Sequence, residues 1–379
     1  MLNIKVGKYM KELSEARAKI NEVDERMARL FEERMQAAKV IADYKKEHAL
    51  PVYDAAREKA VIDRNKCFIR DYDISAYYVR FMDDVMALSK QYQERLISGT
   101  RIAYCGIEGA FANIAVTKIF PYGKAVSYPD FRAAYEAVES GECDCCVLPV
   151  ENSYAGEVGQ VMDLMFSGSL YVNGIYTLRI AHHMLGVDGA SLKDVKTVVS
   201  HPQALAQCAN YIRERNYKTV EYSNTAAAAK AVKEQNDPTV AAIASAETAR
   251  LYGMNILDHD VNESAVNSTR FAVFSRAENR KLSTPDGKFI LMFTVRNEVG
   301  ALAQALNVLG SYGFNMRALK SRPMKDLAWQ YYFYIEAEGD ETGRNGSDML
   351  RHIALHCDKL KVVGHYSEEI LLEDGESYE

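Results

Sequence analysis

The sequence predicts a multidomain chain: an all-α domain over residues 1–98, a two-lobed α/β domain over 100–280, a C-terminal βαββαβ module over 286–370 and a short tail over 371–379. Three observations carry that division. Apolar residues recur at three- and four-residue spacing through the first ninety or so positions, short β-branched runs alternate with helical stretches from Thr100 onward, and Thr284-Pro285-Asp286-Gly287 interrupts the pattern as a linker. At 379 residues the chain also exceeds what one hydrophobic core supports.

Ile20, Val23, Met27, Leu30 and Phe31 mark a long first helix that runs to about Lys46. It stops at His48-Ala49-Leu50-Pro51, because proline biases its predecessor away from helix. A second helix is expected from about Asp54 to Asp71 and a third from about Ser75 to Ile97, closed by Ser98-Gly99. Arg101–Tyr104, Cys145–Val150, Val195–Val199 and Val240–Ala244 then read as strands between helices, which implies mostly parallel pairing. Beyond the linker come strand (Lys288–Arg296), helix (Ala301–Tyr312), strand (Phe314–Ser321), strand (Trp329–Ala337), helix (Asp348–Cys357) and strand (Leu360–Tyr366). That order is ferredoxin-like.

Composition narrows the function classes. With 48% apolar and 26% charged residues the chain is a soluble globular type, and a net charge of −6 excludes a nucleic-acid binder that works by neutralising phosphates. Anionic substrates must be met by local basic clusters. No apolar run is long enough for a membrane span, and Met1 to Gly7 leads into a charged helical pattern without a secretory core, so a cytoplasmic protein is expected. Cys143, Cys145 and Cys146 crowd together without a second well-spaced Cys/His pair, so buried thiols are expected in place of disulfides or a metal site.

In the helical domain Arg34 and Lys45 lie eleven residues apart, about three turns, and share one helix face on which both can meet one anion. Arg17 points about 100° away from Arg34, while Ser89 and Gln93, four apart, stack on one face. Taken alone, the pattern reads first as the solvated charge of a helical dimerisation module. With Ile20, Asp24, Glu33, Pro51-Val52-x-Asp54 and Arg57-Glu58, however, it resembles the all-helical class of chorismate mutase. The resemblance implies a Claisen rearrangement of chorismate to prephenate that needs no nucleophile and no cofactor. Arg17, Arg34 and Arg57 would clamp the substrate carboxylates, and Lys45 and Gln93 would donate to the ether oxygen as it gains charge. Asp54, Glu58 and Ser89 would bind the substrate hydroxyl or brace the arginines. It also implies a homodimer in which each chain lends its first-helix arginine to the other's site, with higher oligomers left open.

The central domain carries Pro149-Val150-Glu151-Asn152-Ser153-x-x-Gly156, Ser200-His201-Pro202-Gln203-Ala204-Leu205-Ala206-Gln207-Cys208, Asn224-Thr225-Ala226-Ala227-Ala228, Tyr252-Gly253 and Asn267-Ser268-Thr269-Arg270-Phe271. Read as chemistry, these are loops at strand ends rich in hydroxyls and amides, suited to an anion-binding cleft between two lobes. In this order they resemble prephenate dehydratase over roughly Arg101 to Arg276. The resemblance implies a periplasmic-binding-protein-like domain that converts prephenate to phenylpyruvate with loss of water and carbon dioxide. Thr269 would be the general acid for the departing hydroxyl and Arg270 a ligand of a substrate carboxylate. Glu151, Asn152, Ser153, Ser200, His201, Gln203, Asn224, Thr225 and Phe271 would line the site. Glu151 fits equally a residue that holds the lobes apart or caps a helix, and His201, followed by Pro202, fits a turn at least as well as a base. The family's first loop, Gly-Pro-x-Gly-(Thr/Ser)-(Phe/Tyr)-Ser, reads Gly106-Ile107-Glu108-Gly109-Ala110-Phe111-Ala112 here, which keeps the turn and the aromatic but loses both hydroxyls.

Gly300-Ala301-Leu302-Ala303, Asn315 and Ser321-Arg322-Pro323 resemble an ACT domain. The resemblance implies phenylalanine as an inhibitory effector, its carboxylate received by the free amides of a helix start that Gly300 leaves open. Lys320 stands where the family has glutamate, and Ala303 where it has valine. The competing readings are a packing and dimerisation module at this end, and for the whole chain a non-enzymatic amino-acid sensor or an active mutase beside a degenerate dehydratase.

Overall fold

The computed structural model describes residues 2–48, 50–52, 54–264, 266–324 and 330–372. The chain divides into two compact units, residues 1–100 and 101–379. The first holds three helices, α1 (Leu2–Glu47), α2 (Ala55–Lys66) and α3 (Tyr72–Ser98). Helix α2 ends short of the expected Asp71 because that aspartate caps the next helix, its side chain accepting the Asp73 N–H just as Asp54 accepts the Arg57 N–H at the start of α2. Helix α3 buries Met82, Val85, Met86, Ser89 and Gln93, and α1 buries Ala38 and Ala42. Ile20, Val23, Met27, Leu30 and Phe31 on α1 stay exposed, an apolar stripe along one helix.

The second unit begins with β1 (Arg101–Cys105), α4 (Phe111–Ile119), β2 (Lys124–Tyr128), α5 (Phe131–Glu139), β3 (Cys145–Asn152), β4 (Gly156–Glu157), α6 (Gly159–Ser167) and β5 (Tyr171–Arg179). The chain then builds β6 (His183–Gly186), β7 (Thr197–Ser200), α7 (Pro202–Gln207), α8 (Ala209–Glu214), β8 (Lys218–Glu221), α9 (Thr225–Gln235), β9 (Val240–Ala244), α10 (Ala246–Tyr252) and β10 (Asn255–Asp258). It returns as β11 (Ser268–Ser275) and continues through β12 (Lys288–Thr294), α11 (Ala301–Ser311), β13 (Asn315–Pro323), β14 (Tyr331–Glu338), α12 (Arg344–Ala354), β15 (Lys359–Tyr366) and β16 (Glu369–Leu372). Trp329, where a strand start is expected, and residues 373–379 of the expected tail lie outside the described residues.

Among the described residues the strands form two sheets, one in the order β13-β14-β12-β15-β5-β11-β3-β1-β2 and one in the order β10-β6-β9-β7-β8. Pairing is mixed where mostly parallel strands were expected. Strand β1 runs parallel to β2 and β3, but β11, coming back from the second sheet, inserts antiparallel to both β3 and β5. In the second sheet β7 is parallel to β8 and β9, and β6 is antiparallel to β9 and β10. Strands β12 to β15 follow the βαββαβ order with antiparallel neighbours. Strand β16, two residues of which fall in the expected tail, pairs parallel with β5 and buries Leu372 in the cluster that holds Leu178.

One apolar cluster runs from Leu148, Met162 and Phe274 to Ile290, Met292 and Tyr334, so the C-terminal module is packed on the sheet as part of its core. Gly364 of β15 meets Val172 of β5, and a Cβ there would lie 2.1 Å from the Val172 carbonyl oxygen, so only glycine permits the join. Lys361 donates to the carbonyls of Met165 (2.8 Å) and Gly168 (2.5 Å), which tethers the C-terminal end of α6. Burial pushes its pKa down to about 8. No helix among the described residues is long and apolar enough to cross a membrane.

His365 on β15 is buried, with Nδ1 2.7 Å from Glu341 Oε1 and Nε2 3.9 Å from Glu278 Oε1. Burial alone lowers an imidazole pKa, but the adjacent Glu341 carboxylate, with the charge of Glu278, raises it overall. A folded-state value above the unfolded one of about 6.5 gives stabilisation that is complete below that pH and lost as pH rises through the raised value. Wild type should therefore melt above His365→Gln near pH 6, and calorimetry should show the gap closing as pH rises above the unfolded value; a gap independent of pH would contradict the protonated pair.

Candidate active sites

The register of β11 on β3 sets Thr269 opposite Asn152 and Arg270 opposite Glu151. Thr269 is buried, and its Oγ1 lies 3.0 Å from Asn152 Nδ2. The Asn152 amide has one possible orientation, because its Oδ1 accepts the backbone N–H groups of Tyr154 (3.0 Å) and Ala155 (2.9 Å). Nδ2 must then donate and the Thr269 hydroxyl must accept, which leaves the threonine's own proton available to a ligand. Asn152 Nδ2 also reaches Asn267 Oδ1 at 3.0 Å, Asn267 Nδ2 donates to Gln207 Oε1 at 3.1 Å, and His182 Nε2 lies 2.9 Å from that same oxygen. Sequence reading missed His182 altogether and quoted Gln207 and Asn267 only as parts of motifs.

Arg270 and Phe271 do not join this group as expected. Alternation along β11 sends Arg270 to the face opposite Thr269, with Ala272 and Phe274. There its guanidinium meets Glu336 with two hydrogen bonds (3.0 and 3.1 Å), Glu151 at 3.2 Å and Glu369 at 3.3 Å. Burial alone would lower its pKa, but hydrogen bonds and charge from Glu336 hold it above the usual value. Glu336, 4% exposed, is in turn held below the usual carboxylate range: desolvation pushes it up and Arg270 more than reverses that. Stranding either partner of such a pair costs about 3–5 kcal/mol. The Arg270 fork is therefore a structural tie to the C-terminal module. Phe271 shares the Thr269 face but is a core residue packed among Ile102, Tyr104 and Leu178. Glu151 binds Lys320 at 2.6 Å as well as Arg270, so it holds the module against the sheet.

The other strand-end residues mostly build the turns. Ser153 Oγ accepts the Ser268 N–H at 3.0 Å, and Ser200 Oγ donates to the Ile243 carbonyl at 2.6 Å. His201 caps α7 through Nδ1, which accepts the Gln203 N–H at 3.2 Å. Asn224 caps α9 by accepting the Ala227 N–H at 2.7 Å, and Thr225 is the buried first residue of that helix. The altered loop keeps its turn: Gly109 has φ +85, its carbonyl accepts Thr248 Oγ1–H at 2.8 Å, and a Cβ would lie 2.9 Å from Leu251 Cδ2. Phe111 of that loop packs its ring edge against His182 and lines a cavity of about 120 Å³ with Leu178, the ladder partner of Thr269, and with Arg179 and Arg250.

In the first unit Arg34 donates to Ser89 Oγ and to the Val85 carbonyl, and Lys45 donates to the Val52 carbonyl at 2.7 Å. Gln93, one turn beyond Ser89, is buried with Oε1 unpaired among the described residues. Asp54 is taken up by capping α2 beside exposed Arg57, and Glu58 pairs with Lys90 at 2.9 Å. Arg17 is exposed, seventeen residues or about 25 Å along α1 from Arg34, beyond reach of the Arg34 site in its own chain.

At the C-terminal module Gly300 adopts φ +80 as the cap of α11; the Ala301 N–H goes to the Glu298 carbonyl at 3.2 Å, and Leu302 follows in the first turn. Leu302 lines a cavity of about 360 Å³ with Val295, Arg296, Tyr331, Phe333 and Asp358. Asn315 Nδ2 is already engaged by Glu338 Oε2 at 2.7 Å. On β13 Ser321 and Pro323 are exposed, whereas Arg322 turns the other way to Asp163 and Glu157, both at 3.4 Å, and to the Tyr332 hydroxyl at 3.1 Å. Arg322 thus docks on the α6 segment through these contacts.

A profile described as chorismate mutase type II matches residues 16–94, and one described as prephenate dehydratase matches residues 102–279. The bifunctional chorismate mutase/prephenate dehydratase of Neisseria gonorrhoeae is 32% identical over 359 residues, covering 93% of this chain and 96% of its own length. The chain belongs to the bifunctional chorismate mutase/prephenate dehydratase family. Among solved structures, the prephenate dehydratase of Arthrobacter aurescens in complex with L-Phe is 27% identical with a TM-score of 0.66, covering 70% of this chain and 90% of that one. GqqA, described as a novel type of quorum quenching acylase, is 30% identical with a TM-score of 0.64, covering 70% and 97%. Within this family frame the residues from Arg17 to Gln93 fall in the mutase segment and those from Glu151 to Phe271 in the dehydratase segment. The effector candidates from Gly300 to Pro323 lie beyond both.

Proposed function

We propose that this chain catalyses two consecutive steps, the rearrangement of chorismate to prephenate and the conversion of prephenate to phenylpyruvate with loss of water and carbon dioxide. The observation that carries the second step is the Thr269 hydroxyl, which accepts from Asn152 and so offers its proton outward. Prephenate's ring hydroxyl departs poorly until protonated, and a donor fixed in place lowers that barrier by orientation even though a neutral hydroxyl is a weak acid. Aromatisation of the ring supplies the drive for carbon dioxide to leave with the C–O electrons. With Arg270 committed to a buried cluster, the substrate carboxylates fall to Arg250 and Arg179 at the Leu178 cavity, the latter exchanging its exposed Asp260 partner at 3.3 Å, and to the N–H groups opening α4 and α9.

The mutase step rests on shape and charge. Arg34 beside Ser89 supplies a guanidinium for one carboxylate, Arg57 a second, and Lys45 and Gln93 the donors for the ether oxygen. Because Arg17 lies too far from Arg34 along one helix, it serves the site of a second copy, and the exposed apolar stripe of α1 is what that copy would cover. A homodimer follows. The C-terminal βαββαβ module is read as an ACT regulatory unit with phenylalanine as effector; the Arthrobacter relative was solved with L-Phe, and the cavity beside Leu302 adjoins the start of α11. The two-lobed arrangement with a cleft at the strand ends is read as the solute-binding type.

Purified protein given chorismate should release phenylpyruvate after a transient of prephenate; accumulation of prephenate alone would leave only the mutase standing. Arg17→Ala and Arg34→Ala should each abolish mutase turnover. Mixing the two variants under subunit exchange should restore roughly a quarter of wild-type activity, since half the dimers then carry one intact site of two, and no recovery would argue against a shared site.

A further inference from the structure

His182 is 2% exposed, and burial, with the charge of His183, pushes its pKa down to about 4 against a raising hydrogen bond from Gln207, so it is a neutral imidazole inside the unit. Its Nε2 faces Gln207 Oε1 at 2.9 Å while its Nδ1 has no partner among the described residues. A buried, uncharged histidine with one bare nitrogen gains the fold less than an apolar side chain of its size would. The tautomer follows from the other end of the chain of amides. The N–H groups of Tyr154 and Ala155 orient Asn152, whose Nδ2 must meet an oxygen on Asn267. Asn267 Nδ2 must then meet an oxygen on Gln207, and that oxygen can take a second hydrogen bond only from a donor. The His182 proton therefore sits on Nε2.

We propose that His182 is a positioning residue for the dehydratase step, its Nε2–H pinning Gln207 so that the relay through Asn267 and Asn152 holds the Thr269 hydroxyl in its donating pose. The role rests on the reading of Thr269 as the acid. The relay is clamped at both ends: at Asn152 by two backbone N–H groups, at Gln207 by the imidazole. Without the imidazole, only the Asn267 N–H holds the Gln207 oxygen in place, and each excursion of the Gln207 amide turns its NH₂ to the NH₂ of Asn267 and loosens the bond of Asn267 to Asn152. All the members are buried, so water cannot relieve the mismatch.

The test is steady-state dehydratase kinetics of full-length protein with prephenate, with the thermal melt and near-UV circular dichroism of the same preparation as the control for folding of the second unit. Glutamine can place an N–H where Nε2 stands, asparagine only where Nδ1 stands, and leucine nowhere. His182→Leu should lower kcat by about tenfold or more with KM little changed, and His182→Gln should recover most of that loss. Should the leucine variant fail to fold, the comparison moves to the two polar ones, with His182→Gln retaining kcat and His182→Asn losing it. Equal kcat in wild type and His182→Leu, or equal loss in His182→Gln and His182→Asn, overturns the proposal while leaving the dehydratase reading intact. Wild-type protein that leaves prephenate untouched removes that reading, and the proposal with it.

Discussion

The antiparallel return of β11 between β3 and β5 is the constraint on which the second unit depends. A strand shows alternate residues to opposite faces, so one register places two adjacent residues in two different structures. Thr269 meets Asn152 on one face, and Arg270 meets Glu336, Glu151 and Glu369 on the other. A slip of one residue would carry the hydroxyl to the C-terminal module and the guanidinium into the apolar cluster of Ile102 and Leu178, both costly. The buried charge pair thereby specifies the register that presents the threonine.

The same strand pair ties the Thr269 site to the C-terminal module. Lys320 and Arg322, alternate residues on β13, grip Glu151 and the Glu157–Asp163 segment, and Lys361 holds the far end of α6. Asn152 sits between the Lys320 partner and the Arg322 partners in sequence. The helical unit works by a different economy: it needs no activated nucleophile, only guanidinium and amide groups fixed along helices, which is why its site residues recur at helical spacing.

The helices, the linker and the βαββαβ order were legible because periodicity, Pro51 and the Thr284 to Gly287 turn are local signals. The Thr-Arg-Phe string was legible as a landmark but not as a site. Three neighbours in a strand cannot face one ligand, and Arg270 and Phe271 went to an ion cluster and a core. The partner that decides this, Glu336, is sixty-six residues away and gives no local sign. Lys320 looked like a loss from the family pattern, yet against Glu151 it is a cation in a place that uses one. His182 hid for the opposite reason: beside His183 in an apolar run it resembles any core histidine, and only the fold brings Gln207 and Asn267 to it. Strand β16, half of it assigned to the tail, was not foreseen because four residues pairing with the distant strand β5 show no turn beside them.

The account turns on the donor that fixes the Thr269 hydroxyl, and Asn152→Asp isolates it. Aspartate keeps an oxygen for the Tyr154 and Ala155 N–H groups and replaces the donating NH₂ by an acceptor, so the threonine proton turns inward to the carboxylate. The measurement is kcat for prephenate conversion by the full-length variant, with the thermal melt of the second unit as the folding control and mutase turnover as the control for protein concentration. A fall of about a hundredfold or more at unchanged mutase rate is the predicted result. Wild-type kcat in the variant would contradict the account, because the reaction would then proceed without an outward-facing threonine proton.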